Sequence, residues 1–160
     1  HLLTKEATVA NTQSMCTSFM QELMTGTHNF TTGTGDTFKA ALYLTSATYN
    51  AATTAYSATG EVSGTGYTAG GVAVTNGTSP LSTNTSATAG TAYWTPSASI
   101  TYTSVTLSTA FDAVLIYNSS KSNKAVSVHT FGSQTVTAGT FTLTMPSNTT
   151  STALIRLATT

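Results

Sequence analysis

The residues that commonly do chemistry are few in this chain and lie far apart in sequence. Five basic and five acidic side chains are spread over 160 residues, a charged fraction of 6% against about 25% in an ordinary globular protein. The three histidines, His1, His28 and His129, show no HxH or HExxH spacing. A fold that gathered His28, Asp36 and His129 would make a metal site or a serine-activating pair. We expect instead that His28 and His129 are structural.

Other catalytic patterns are equally weak. Asp112 and Glu61 have no sequence partner for the paired carboxylates of a glycosidase. The glycine-rich stretch 64–71 lacks the lysine of a phosphate-binding loop, and no βαβ pattern surrounds it, so we interpret it as a tight backbone turn. The single cysteine, Cys16, excludes an internal disulfide and a cysteine-based zinc site. We therefore predict a protein that is not an enzyme and that uses no metal or cofactor.

Charge and hydropathy limit the classes of partner. The formal net charge is zero with neutral histidines, and a chain without a basic patch releases few phosphate counterions, so we do not expect nucleic-acid binding. No apolar run approaches the roughly 18 residues of a membrane-spanning helix, so we expect no membrane span.

One helical signal lies near the N-terminus. The apolar residues that share a helical face are Met15, Phe19, Met20, Leu23 and Met24. The candidate N-caps are Asn11, Thr12 and Ser14, and Gly26 is the expected stop. Two or three turns are not stable alone. The apolar stripe must therefore pack on the domain's own core, which we favour, or on a neighbouring subunit.

After residue 36 the apolar period changes from 3.6 to 2, and 38–44 alternates as a half-buried strand does. Further strands are predicted at 72–75, 100–107, 112–117, 125–131, 140–145 and 153–157. A phase switch between Tyr102 and Val105 predicts a bulge or a bend. The continuous apolar run 114–116 predicts a strand covered on both faces. Between such strands, 118–124 predicts a hairpin loop with solvated lysines.

These elements indicate a mainly β fold: an antiparallel β-sandwich, Ig-like or jelly-roll-like, or a related barrel, with one short N-terminal α-helix. We expect a single domain over 14–160, preceded by an N-terminal arm, 1–13. Two stretches, 49–71 and 76–90, have the length of loops that serve a function or become ordered with a partner. Their tyrosines and low charge favour a protein-facing role.

The candidate contact residues are apolar or aromatic side chains of the arm and the loops: Leu2, Leu3, Tyr56, Tyr67 and Trp94. Exposed aromatic residues such as Tyr93-Trp94 stack on sugars in some proteins, but we favour a core or an interface for Trp94.

Several segments of the chain resemble a family of small virion structural proteins of tailed bacteriophages. The segments are SFMQELMTGTHNF (18–30), DTFKAALYLTSATYNAATTAYSATGEVSGTGYTAGG (36–71), AVLIYNSSKSNKAVSVHTFG (113–132), GTFTLTMP (139–146) and ALIRLA (153–158). Together they cover most of the chain in order, while the first ~15 residues and 76–90 lie outside the resemblance.

The resemblance implies a non-enzymatic β-sandwich protein of the phage particle, assigned in this family to head decoration (cement) or to the tail. It carries over no catalytic residue. We expect first a capsid decoration protein on the outside of the virion, a homotrimer bound to the major capsid protein. The alternatives are a tail or fibre component that contacts the host surface and a secreted carbohydrate-binding module or adhesin subunit.

Overall fold

The computed structural model describes residues 10–83 and 90–159. Within these ranges the helix is α1 (Thr17–Met24) and the strands are β1 (Ser14–Met15), β2 (Phe38–Leu44), β3 (Val72–Val74), β4 (Leu81–Ser82), β5 (Thr91–Trp94), β6 (Ile100–Asn118), β7 (Lys124–Leu143) and β8 (Ile155–Ala158). They form a five-stranded sheet in the order β1-β7-β6-β2-β3 and a three-stranded sheet in the order β4-β5-β8. Every pair of neighbouring strands is antiparallel. The predicted mainly β fold with one short N-terminal helix is confirmed.

The core joins the two sheets through aromatic side chains. Phe30 stacks on Phe38 of β2 with ring centroids 4.3 Å apart, and Trp94 of β5 meets Phe30 edge-on at 4.9 Å. Phe19 of α1 contacts the same ring at 5.9 Å. Offset and edge-on aromatic pairs add to the free energy of simple apolar burial. Within 10–83 and 90–159, no helix has the length and apolar character needed to cross a membrane.

The predicted end of α1 is confirmed, and its predicted start is wrong. Gly26 has φ +69° and donates its N–H to the Leu23 carbonyl at 3.2 Å, while the Thr27 N–H reaches the Glu22 carbonyl at 2.9 Å. This paired closure uses the left-handed conformation that glycine adopts without strain. The N-cap is Cys16, which makes no side-chain cap. The chain before it is already committed to strand pairing in β1.

Some residues of the predicted apolar stripe are buried and others are exposed to solvent. Phe19 is buried and Leu23 packs partly buried against the core. Met20 and Met24 are exposed, the latter by 83%. Met15 lies in β1, opposite Ser127 of β7. A helix of eight residues that rests on one strand covers a narrower strip than the sequence pattern suggests.

The half-buried prediction for β2 is wrong, because both faces of this strand are covered. Phe38 and Leu42 face the aromatic core, and Ala41 and Tyr43 on the other face are buried as well. The second face is covered by residues 45–71, which we call the covering segment. The ring of its Tyr49 lies 3.6 Å from that of Tyr43.

Four predicted strands merge into two long ones, β6 and β7, which form one hairpin. The predicted bulge is confirmed, since the register shifts between Tyr102 and Val105, where Ser104 has φ +53°. Burial of 114–116 on both faces and a turn over 119–123 are also confirmed. Of the two lysines at this turn, Lys121 is exposed, while Lys124 bonds to Glu22. A bulge bends a strand without ending it, but it changes the apolar phase as a strand end does, so the pattern predicts two strands where the structure has one.

Three short strands, β1, β4 and β5, have no counterpart among the predicted strands. Two- to four-residue elements give too little alternation to detect, and their hydrogen-bonding partners lie far away in sequence. β5 pairs with β8, so that Trp94 lies opposite Ile155.

The chain is tied to the domain from Asn11 onward. The Asn11 side-chain amide donates to the Leu44 carbonyl at 2.9 Å and to the Asp112 carboxylate at 2.7 Å, and its oxygen accepts from the Tyr49 N–H at 2.9 Å. Within the expected arm, 1–13, residues 11–13 therefore contact the domain. Leu2 and Leu3 lie outside the described residues.

Candidate functional site

The carboxylates of the described residues all accept hydrogen bonds from the protein itself. They are Glu22, Asp36, Glu61 and Asp112. Each bond satisfies a charge that would otherwise be costly to remove from water. These four carboxylates therefore serve mainly to hold the loops of the described chain together.

Three groups of the covering segment donate hydrogen bonds to the carboxylate of Glu61. Its two carboxylate oxygens accept hydrogen bonds from the hydroxyls of Tyr56 and Tyr67, each at 2.7 Å. The Gly70 N–H donates to the same carboxylate at 2.8 Å. Bonds to an ionised acceptor are about twice as strong as neutral ones. Three parts of an otherwise irregular loop are thereby fixed relative to one another.

The tyrosines of this cluster also lie on the sheet. Tyr56 stacks on Tyr117 of β6 at 4.9 Å, and Tyr67 stacks on Tyr102 at 5.9 Å. Burial, together with the hydrogen bond to the Glu61 carboxylate, raises the pKa of Tyr56 and of Tyr67 well above the ordinary value of 10.0. Both hydroxyls consequently stay protonated and act as donors throughout the neutral range.

The candidate contact residues Tyr56, Tyr67 and Trp94 are all engaged within the chain. The Trp94 side chain is 2% exposed, and its indole N–H lies 3.0 Å from the Asn76 side-chain oxygen and 3.1 Å from the Thr78 carbonyl. Tyr56 and Tyr67 are partly buried by the contacts above. A role for these three side chains in contact with another molecule stays a prediction.

Glycines let the covering segment lie directly on the sheet. A Cβ on Gly64 would approach the Thr106 carbonyl oxygen to 2.0 Å, and one on Gly66 would approach the Ser104 carbonyl oxygen to 2.2 Å. A bridge pairs Thr65 with Thr106 between them. The glycine-rich stretch is thus a close backbone contact between loop and strand, in line with its interpretation as a turn rather than a nucleotide loop.

A second polar cluster joins α1 to the turn between β6 and β7. Glu22 accepts from His28 Nε2 at 2.7 Å and from Lys124 Nζ at 2.5 Å. The Asn118 amide donates to His28 Nδ1 at 3.0 Å and to Asp36 at 2.7 Å. One tautomer of His28, which donates from Nε2 and accepts at Nδ1, satisfies both contacts.

The two carboxylates of this cluster are favoured in their charged forms. Burial alone would raise the pKa of Glu22, but hydrogen bonds from Lys124 and His28, with the charge of Lys124, outweigh it, and the pKa lies below its ordinary value of 4.5. Burial would likewise raise the pKa of Asp36. Hydrogen bonds from the Asn29 N–H and the Asn118 amide, with the charge of Lys121, outweigh it and bring the pKa below the ordinary value of 3.8.

His129 lies elsewhere in the fold and does not join His28 and Asp36. Its Nε2 lies 2.8 Å from the Ser127 hydroxyl, and burial lowers the pKa of His129 to about 4, so the ring is neutral at pH 7. Ser127 is 2% exposed, so no substrate reaches its hydroxyl in this conformation. Among the described residues, no three His, Cys, Asp or Glu side chains are grouped to hold a metal ion.

An apolar cleft of about 110 Å³ lies between α1 and the three-stranded sheet. Its lining includes Phe19, Leu23, Phe30, Trp94, Ile155 and Leu157. Leu157 is 43% exposed, and an accessible apolar cleft accepts an apolar side chain of another molecule. Sequence reasoning missed this feature because β5 and β8, whose pairing forms its floor, are separated by 60 residues.

Three comparisons with known proteins found no match. No protein-family model matches the chain, and no curated protein or solved structure matches it significantly.

Replacing Glu61 with glutamine is expected to lower the free energy of unfolding by about 1–3 kcal/mol, because the new amide nitrogen cannot accept a tyrosine proton and leaves a partly buried donor unpaired. Tyr56→Phe, which removes one hydroxyl and leaves the carboxylate, is the matched control and should cost about 1 kcal/mol or less. Urea unfolding followed by the fluorescence of Trp94, the single tryptophan, measures both. Equal stability of Glu61→Gln and the wild type would contradict the anchoring role.

Stability should also depend on acid through Glu22 and Asp36. Because their folded-state pKa values lie below the ordinary 4.5 and 3.8, the stabilisation is fully present above those values and is lost as the pH falls through the folded-state values. Urea unfolding at a series of pH values from 7 to about 3 measures this loss. The double variant Glu22→Gln/Asp36→Asn should be less stable at pH 7 and should lose less stability on acidification. An unchanged slope in that variant would show that other carboxylates cause the dependence.

Proposed function

We propose that this protein is a non-enzymatic structural protein of a tailed-bacteriophage particle, specifically a capsid decoration (cement) protein on the outside of the head. The resemblance of residues 18–30, 36–71, 113–132, 139–146 and 153–158 to phage virion proteins gives the class. Physical features of the chain support a role in protein contact.

The observation that carries the proposal is a surface with few charged side chains and an apolar cleft, both within the described residues. The described carboxylates are bonded internally, and the exposed positions of β6 and β7 are mostly threonine, serine and glutamine. The cleft between α1 and the three-stranded sheet is an accessible apolar feature. Such a surface recognises another protein by shape and apolar contact rather than by charge.

In the proposed role, an apolar side chain of the major capsid protein occupies the cleft. Each contact is small, but the shell repeats it at every equivalent position, so the summed free energy resists the outward pressure of packaged DNA. A homotrimer at the threefold positions of the shell would bind neighbouring capsomers simultaneously. No nucleic-acid or membrane contact is part of this proposal.

Copy number per particle tests the location. Quantitative mass spectrometry of purified virions should give a ratio to the major capsid protein near one to one, because a cement protein covers the whole shell. A few tens of copies or fewer would move the protein to the tail or fibre. Its absence from particles would exclude both virion roles and favour a secreted binding module, to be tested by glycan binding of the isolated protein.

The cleft is tested by Leu157→Lys, which places a charge at its edge. Loss of one buried leucine contact is worth about 1.5–3 kcal/mol, so binding to capsids that lack the protein should weaken about 10- to 100-fold. Leu81→Lys is the matched control, because Leu81 is similarly exposed, by 45%. Leu81 pairs with Tyr93, whereas Leu157 pairs with the neighbouring residue Ala92. Since successive residues of a strand point to opposite faces, Leu81 lies on the face of the sheet away from the cleft. Co-sedimentation with capsids measures both. Equal binding by the two variants would remove the cleft from the interface.

A further inference from the structure

The long strand β7 is paired along its full length on one side and briefly on the other. β6 pairs with it from Lys124 to Leu143. On the opposite side β1 pairs with Ser127 and Val128, and the Gln13 side chain accepts the Thr130 N–H at 3.2 Å. Beyond Thr130, no strand of the described ranges pairs with this side. We propose that this edge pairs antiparallel with the same edge of a second copy of the chain.

The edge lacks the charged residues and the proline that commonly protect sheet edges from pairing. Natural edge strands are commonly short, or carry lysine, other charges or proline. Between Lys124 and Arg156 the chain has no Asp, Glu, Lys or Arg, and the proline in that interval, Pro146, lies after the strand ends. An uncharged edge brought against itself places no like charges opposite one another. A second copy of the chain can therefore pair with this edge without repulsion between like charges.

The regular part of the edge is Gly139–Leu143. The bulge between Tyr102 and Val105 places its extra residue on β6, because three steps on that strand oppose two on β7, from Phe141 to Gly139. The residue with positive φ on β7 is Ala138, just before this stretch. From Gly139 onward β7 is thus an extended strand whose alternate backbone N–H and C=O groups point outward.

This stretch is complementary to itself in one register. With Phe141 on the twofold axis, Thr140 lies opposite Thr142 of the second copy, and Thr142 lies opposite Thr140 of the second copy. Both threonines are exposed, and cross-strand Thr–Thr pairs are favourable in antiparallel sheets. Phe141 is partly buried, 5.0 Å from the ring of Phe111, so its remaining exposed part meets its symmetry mate. A twofold contact of this kind closes with two copies and leaves no edge for further growth.

This pairing does not rest on a place in a phage particle. It joins copies in twos in solution, whereas the trimer of the proposed function uses another surface and is expected to form only on the shell. Because it is measured on isolated protein, its failure and the failure of the cement role are separate results.

Charge substitutions at the two threonines give the test. In Thr140→Lys/Thr142→Lys, lysine faces lysine twice across the twofold axis, so the dimer should dissociate. In Thr140→Lys/Thr142→Glu, each lysine faces a glutamate, so the dimer should form again and weaken with added salt. Both variants alter the same exposed positions, which separates charge pairing from damage to the fold.

Sedimentation equilibrium at about 100 µM, a concentration at which micromolar association is visible, reports the outcome. The expected masses are twice the chain mass for the wild type, the chain mass for the double lysine variant and twice the chain mass for the lysine–glutamate variant. A monomeric wild type would overturn the proposal. A dimer that persists in the double lysine variant would also overturn it, because another surface would then hold the copies together.

Discussion

The bonds from Tyr56, Tyr67 and Gly70 to the carboxylate of Glu61 fix the path of residues 45–71, on which the rest of the large sheet depends. A partly buried charge is tolerated because several donors surround it and no cation is required. The same loop covers the second face of β2, where Tyr43 is buried against Tyr49. The anchor adds to the apolar burial of the loop's tyrosine rings in offsetting the conformational entropy of a segment rich in glycine and threonine.

The glycines of the loop make that anchor geometrically possible. The backbone of the covering segment approaches β6 so closely at Gly64 and Gly66 that no side chain would fit. The tyrosine rings then lie flat on the sheet, stacked on Tyr117 and Tyr102. Polar bonds set the direction of the loop, and apolar burial of the rings supplies most of its stabilisation.

Use of the carboxylates inside the fold has a consequence for the outer surface. The four described carboxylates bond to tyrosines, amides, lysines and a histidine. Much of the exposed surface of the described strands is therefore neutral hydroxyl and methyl. Long-range electrostatic steering is weak for such a protein, and its association depends on complementary shape, apolar contact and backbone pairing. In the two proposals, the cleft beside α1 would supply the apolar contact and the edge of β7 the backbone pairing.

The sequence alone determined the fold class, the helix stop at Gly26, the bulge after Tyr102 and the turn between β6 and β7, because each depends on neighbouring residues and a local period. It did not determine that 100–107 and 112–117 belong to one strand, since a bulge and a strand end produce the same phase change. Contacts between distant residues were decided by tertiary structure: Glu22 with Lys124, Asn11 with Asp112, and Trp94 of β5 with Ile155 of β8. Burial of Tyr56 and Tyr67 belongs to the same group, because an aromatic residue in a loop has the same sequence signal whether it faces solvent or a carboxylate. Which loop side chains are buried depends on the residues of the sheet beneath the loop, and those residues come together only once the strands have paired.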